Sequence, residues 1–182
     1  MAIPPVSASG SCGARHPRIT RPRPRLFPIN HLSDRAQDKA VTLAYRAISR
    51  RERTVAEVRG FLERKEVEEA DIEYALGELQ DAGALDDARF ARLLAEDKRL
   101  IDGWGAARID RELRRRGVPD HLAELERGRN DRDEELRAAV QLLGQKMPPA
   151  TDDRQRDKAW RMLVRKGYEP ELAYDAVREH AA

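Results

Sequence analysis

Arg108, Arg111 and Arg115 recur at intervals of three and four residues, the spacing that lines side chains along one helix face at 100° per residue. A guanidinium is always charged and presents a planar fork of donors. The chemistry on offer is therefore recognition of an anion, either phosphate or the carboxylates of a mixed-charge protein. Arg114 and Arg116 flank the row, and Asp110 and Glu112 are the acids among them. Local pairs on a helix surface contribute only about 0.2–0.5 kcal/mol each, too little to separate a binding face from a solvated one.

Other reactive residue types are thinly spread. Asp86-Asp87 is a carboxylate pair, but a hard cation needs several more oxygen ligands and the surrounding sequence supplies none. An N-cap followed by a first-turn acid accounts for both residues. His16, His31, His121 and His180 are scattered, and no HExxH, GxSxG or phosphate-binding glycine loop occurs. Cys12 is the single cysteine, which excludes a disulfide framework and a cysteine-based metal site. The expectation is a protein without catalytic residues, metal or cofactor. Trp104, set between Gly103 and Gly105, is either a core aromatic or an exposed anchor of the kind found at interface hot spots. Trp160 reads as core.

The arginine row must be carried by the stretch Leu85–Val118. Asp86 is placed to cap a helix, with Leu85 and Phe90 spaced as a hydrophobic staple. Phe90, Leu93, Leu94, Leu100 and Ile101 follow at helical spacing as the inward face, with Asp97 and Lys98 outward. After Gly103-Trp104-Gly105 a second helix points Ala106, Ile109 and Leu113 inward and ends at Gly117. Pro119 suits the first position of a third helix, with Leu122 and Leu125 inward and Gly128 at its end.

Similar punctuation brackets the rest of the chain. Asp34 and Gln37 have capping-box spacing, as do Thr54 and Glu57. Ala40, Leu43, Ala44 and Ala47 form one apolar face, Val58 and Leu62 a second, and Ile72, Leu76 and Leu79 a third, closed by Gly83. A further set opens at Asn130 with Leu136, Val140, Leu143 and Met147, stopped by Pro148-Pro149. Asp152 caps the next helix through Ala159 and Leu163 to Gly167, and Pro170 starts the last, with Leu172, Ala176 and Val177.

Leu62-x-x-Lys65-Glu66-Val67, Leu113-x-x-Arg116-Gly117-Val118 and Leu163-x-x-Lys166-Gly167-Tyr168 recur about fifty residues apart. Alternating strand patterns are absent. Charged residues make up 37% of the 182 and aromatics 5%, against a usual charged fraction of about 25%, so one thick core is excluded. The fold class expected is all-α, an elongated array of three tandem three-helix repeats at 34–83, 84–128 and 129–182. Residues 1–33 hold six of the ten prolines by His31 and five arginines with no acid, composition that favours disorder. The net charge of +2 thus leaves −3 for residues 34–182, poorly suited to coating DNA. No apolar run reaches the roughly 18 residues of a membrane span, and no signal-peptide h-region is evident; a cytoplasmic monomer is expected.

Asp86-Asp87-x-Arg89-Phe90-Ala91, Arg99, Gly103, Arg108-Ile109 and Leu113-x-x-x-Gly117-Val118 together resemble the central signature of the RecX family, and the resemblance runs from about Ala36 to Ala181. It implies a non-enzymatic regulator that lodges in the groove of the RecA nucleoprotein filament and suppresses ATP hydrolysis, filament extension and strand exchange. On charge and position, the expected contacts are Arg89, Lys98, Arg99, Arg108, Arg111 and Arg115, with Trp104 as an anchor. The alternative is a helical nucleic-acid-binding module that sets the arginine face on phosphates, and a weak DNA contact is compatible with either. Glu66 stands where the other two repeats have glycine, so the first turn is expected to be built differently.

Overall fold

The computed structural model describes residues 31–129 and 131–181. The Pro-rich arm up to Asn30, with Cys12 and its five arginines, and the expected opening residue Asn130 lie outside the described residues. Among those described there are nine helices and no strand. They are α1 (His31–Ile48), α2 (Val55–Glu63), α3 (Glu69–Asp81), α4 (Asp87–Leu100), α5 (Ala106–Arg115), α6 (Asp120–Arg127), α7 (Arg132–Lys146), α8 (Asp153–Lys166) and α9 (Pro170–His180).

Three separate cores form, one per consecutive set of three helices. Ala40, Ala44, Val58, Leu62, Ile72 and Leu79 pack between α1, α2 and α3. Phe90, Ala95, Ile109, Leu113 and Ala123 pack between α4, α5 and α6. Ala139, Leu143, Leu163, Leu172 and Ala176 pack between α7, α8 and α9. Each core sets leucine against several alanines, which lets short helices approach closely without the large aromatic volume this sequence lacks. The protein is an all-α helical repeat.

The fifty-residue motif is a C-terminal cap made three times. Leu62, Leu113 and Leu163 accept at their carbonyl oxygens from the N–H groups of Val67, Val118 and Tyr168 at 3.1–3.2 Å. Glu66, Gly117 and Gly167 donate to Glu63, Arg114 and Val164 at 2.9–3.0 Å. This paired pattern is the Schellman motif, which needs a left-handed residue at its turn. Gly117 has φ +77° and Gly167 φ +97°; Glu66 adopts the same hand at φ +57°. The first turn is therefore built like the others, against expectation, and its exposed Glu66 bears the steric cost that glycine avoids.

Caps follow the sequence closely. Thr54, Asp86 and Asp152 accept from the N–H groups of Glu57, Arg89 and Gln155 at 3.1, 2.9 and 2.7 Å. Asp131 caps α7 through Glu134 N–H at 2.7 Å. Several details differ. Helix α1 starts three residues before Asp34, which becomes a first-turn acid, favourable toward the helix dipole. Pro119 is the N-cap of α6, one residue before the position expected. Leu85 packs in the core of the first three helices and Phe90 in that of the next three, so each anchors a different unit.

Leu93, Leu100, Ile101 and Leu125, all expected inward, are exposed, Leu100 by 85% and Ile101 by 80%. Leu100 is the last residue of α4 and Ile101 its C-cap, and neither belongs to the core that α4 shares with α5 and α6.

A candidate partner-binding surface on helix α5

Helix α5 is held at both ends by its neighbours. At its N-terminus Gly105 and Ala107 donate to the carbonyl oxygens of Lys166 and Gly167 at 3.0 and 3.2 Å. Ala106 donates to Glu135 Oε1 at 2.8 Å. Three donors that a helix start leaves unpaired are thus satisfied by the third unit, and Gly105 serves as N-cap without a capping side chain. At its C-terminus the Arg116 carbonyl accepts from the buried Thr54 hydroxyl at 2.7 Å. Asp87 Oδ1 accepts from Val55 N–H at 2.9 Å, repeating at α2 what Glu135 does at α5. The end of α8 meets the start of α5, and the end of α5 meets the start of α2. Each contact sets a negative helix terminus against a positive one.

Charges at the joint between the end of α5 and the start of α2 are tuned by burial. Burial alone would raise the Glu57 carboxyl, but the Arg116 guanidinium, with Arg51 and a backbone donor, holds it below its ordinary value. Arg116 grips Glu57 with both Nε and Nη2 and lies over the Phe90 ring at 4.9 Å. Asp87 is shifted upward, chiefly by burial, with Asp86 and Glu57 adding repulsion against the pull of Val55 N–H.

Of the five arginines from 108 to 116, three are spoken for. Arg114 pairs with Asp110, Asp120 and Glu124, Arg115 with Glu112 at 2.6 Å, and Arg116 with Glu57. Arg115 in turn holds the Glu112 carboxyl below its ordinary value. Arg108 and Arg111 bond only to carbonyl oxygens, of Arg165 at 3.3 Å and Ala107 at 3.2 Å. Neither has a carboxylate partner among the described residues. Beside them Trp104 is half-buried and packed against the second core, with Arg108 over its ring at 3.9 Å and Lys98 at 4.8 Å. Trp104 is thus a core-packed aromatic whose ring also seats two cations. Lys98 donates to Asp102 at 2.6 Å and lowers that carboxyl.

The structure brings together Lys98, Trp104 and Arg108, with Arg111 one helical turn on and Arg115 one turn further. Arg89 stands apart, nine residues or about 14 Å along α4 from Lys98. Its guanidinium donates to the Gly83 carbonyl at 3.1 Å and lies 3.9 Å from Glu52. Arg99 turns inward: it donates to the Glu126 carbonyl at 2.5 Å, and burial lowers its pKa despite nearby Glu126 and Glu135. Glu126 is buried and gripped by Arg129 at 2.9 Å, so these charges belong to an interior network. Sequence reasoning missed Arg165 and Lys166, which flank the arginine face from the third unit; Lys166 donates to the Asp102 carbonyl at 2.6 Å. Their only signal is adjacency to Gly167 in the repeated motif. Trp160 is half-buried, its Nε1 donating to the Pro170 carbonyl at 3.0 Å, and lines a groove of about 550 Å³ with Tyr174, away from α5.

No helix among the described residues is long and apolar enough to cross a membrane. Residues 86–125 match the family described as RecX, second three-helix domain, and residues 40–79 match RecX, first three-helix domain. A regulatory protein RecX of Deinococcus radiodurans is 34% identical, over 96% of this chain and 80% of its own. One of Amycolatopsis mediterranei is 33% identical, over 78% of this chain and 82% of its own. Among solved structures, RecX from Lactobacillus salivarius superimposes with a TM-score of 0.72 at 20% identity, covering 81% of this chain and 97% of that one. Identity over nearly the whole chain, joined to the two matched three-helix segments, places this chain in the RecX family of regulatory proteins.

Proposed function

We propose that the chain is a non-enzymatic, monomeric modulator of RecA, acting in the cytoplasm by lodging in the groove of the RecA nucleoprotein filament. Occupancy of that groove would suppress ATP hydrolysis, filament extension and strand exchange. Family membership supports RecA as the partner, and one observation supports α5 as the contact. Arg108 and Arg111 have no ion-pair partner among the described residues, while Arg114, Arg115 and Arg116 are neutralised within the fold. In a chain this rich in acid, two unneutralised guanidiniums on a clamped helix favour carboxylates of a partner. The proposed three-helix units at 34–83, 84–128 and 129–182 would spread that contact over neighbouring protomers.

The same two guanidiniums could sit on phosphates, which is the second reading. Binding of the labelled protein to RecA–ssDNA filaments and to naked ssDNA, between about 50 and 200 mM salt, separates the two. The RecA reading expects binding to filaments with little to naked ssDNA. Equal binding to naked ssDNA, falling steeply with salt, would replace it with the phosphate reading.

A further inference from the structure

Leu100, the last residue of α4, and Ile101, its C-cap, are the two most exposed large apolar side chains among the described residues, and the turn that follows them is tied at several points. Trp104 N–H donates back to the Lys98 carbonyl at 3.0 Å, and Gly105 N–H to Lys166. The Asp102 carbonyl accepts from Lys166 Nζ. Gly103, at φ +60°, leaves room where a Cβ would fall 3.0 Å from a Leu142 methyl carbon. An exposed aliphatic pair on a loose loop would be unremarkable; here it projects from a turn pinned at several points to the third unit. Such preorganisation removes much of the ordering cost of binding.

The surroundings define what the pair can meet. Trp104, three residues beyond Ile101, carries Lys98 and Arg108 over its ring, and Arg111 follows on α5 with no carboxylate partner among the described residues. Aliphatic side chains have no use against phosphate and offer no π-face to the bases of single-stranded nucleic acid, which is gripped by aromatic platforms. Exposed aliphatic side chains followed closely in the chain by an aromatic ring and unpaired guanidinium groups fit a protein–protein contact instead.

We infer that Leu100 and Ile101 are the apolar anchor of the partner interface, inserted into a pocket on a RecA protomer whose rim carries carboxylates facing Arg108 and Arg111. This rests on the RecA reading and names the part of the surface that supplies affinity without salt dependence. Both residues are exposed, so the double variant L100S/I101S leaves the three cores intact, which an unchanged melting temperature confirms. Binding to RecA–ssDNA filaments is expected to weaken about 10- to 100-fold, with the salt dependence of the remaining binding unchanged. Unchanged affinity of a folded L100S/I101S protein, while the wild type binds, overturns the anchor and leaves the RecA reading standing. Failure of the wild type to bind filaments overturns both. Analytical ultracentrifugation showing a wild-type dimer that L100S/I101S abolishes would assign the pair to self-association and overturn the anchor.

Discussion

A Cβ built on Gly167 would lie 2.3 Å from the Cβ of Arg108. The C-terminal turn of α8 therefore touches the helix bearing the candidate site at the residue that stacks on Trp104, and only glycine permits the contact. Gly117 stands in the same relation to Ala56, 2.5 Å from a hypothetical Cβ. The second and third repeats each seat this turn on the start of the second helix of the repeat before.

Gly167→Ala must relieve both a left-handed φ and a backbone clash. A loss of about 2–4 kcal/mol is expected, since strain of about 1–3 kcal/mol adds to displacement of packed atoms. Chemical denaturation measures it, and a loss below about 1 kcal/mol would mean the joint is softer than its geometry implies.

Thr54→Val keeps the shape and removes the hydroxyl that accepts from Glu57 N–H and donates to the Arg116 carbonyl. Two bonds at a fully buried site give an expected cost of about 1–3 kcal/mol. Thr54→Ser should retain most of the bonding, so a serine variant as unstable as the valine variant would point to packing as the cause.

Glu57→Gln reports on pH. The Glu57 carboxyl lies below its ordinary value in the folded protein, so its contribution is fully present above the unfolded pKa and is lost as pH falls through the folded one. Removing the half-buried pair with Arg116 is expected to cost about 1–2 kcal/mol at neutral pH. The gap from wild type should close as pH drops below the usual glutamate range. A gap independent of pH, followed by urea unfolding, would contradict this.

Glu66→Gly should stabilise. Glu66 is exposed and holds φ +57°, a conformation that costs an L-residue about 1–2 kcal/mol and glycine little beyond its chain entropy. The expected gain is about 0.5–1 kcal/mol, visible as a raised melting temperature.

Legibility from sequence followed the range of the interactions. Asp86, Thr54 and Asp152 cap helices a few residues away, and the Leu-x-x-Arg-Gly-Val pattern closes within six residues, so local chemistry shows both. Leu100 and Ile101 keep helical spacing, but whether another element covers the end of α4 decides their exposure, and periodicity along α4 carries no such information. Asp87 looks like a first-turn acid and is one, yet its carboxylate also caps Val55, 32 residues away. Arg99 and Arg108 are indistinguishable as surface arginines; the carbonyl that receives each lies 27 and 57 residues off in the chain.

The most direct test is a titration of RecA–ssDNA ATPase activity with wild-type protein and with R108E/R111E. Wild type should inhibit. The variant loses no internal ion pair among the described residues, only the Arg108 stack on Trp104 and two bonds to carbonyl oxygens; it should still unfold cooperatively, while needing at least about 10-fold more protein for the same inhibition. Inhibition by the folded variant at wild-type potency would contradict the assignment of α5 as the contact surface.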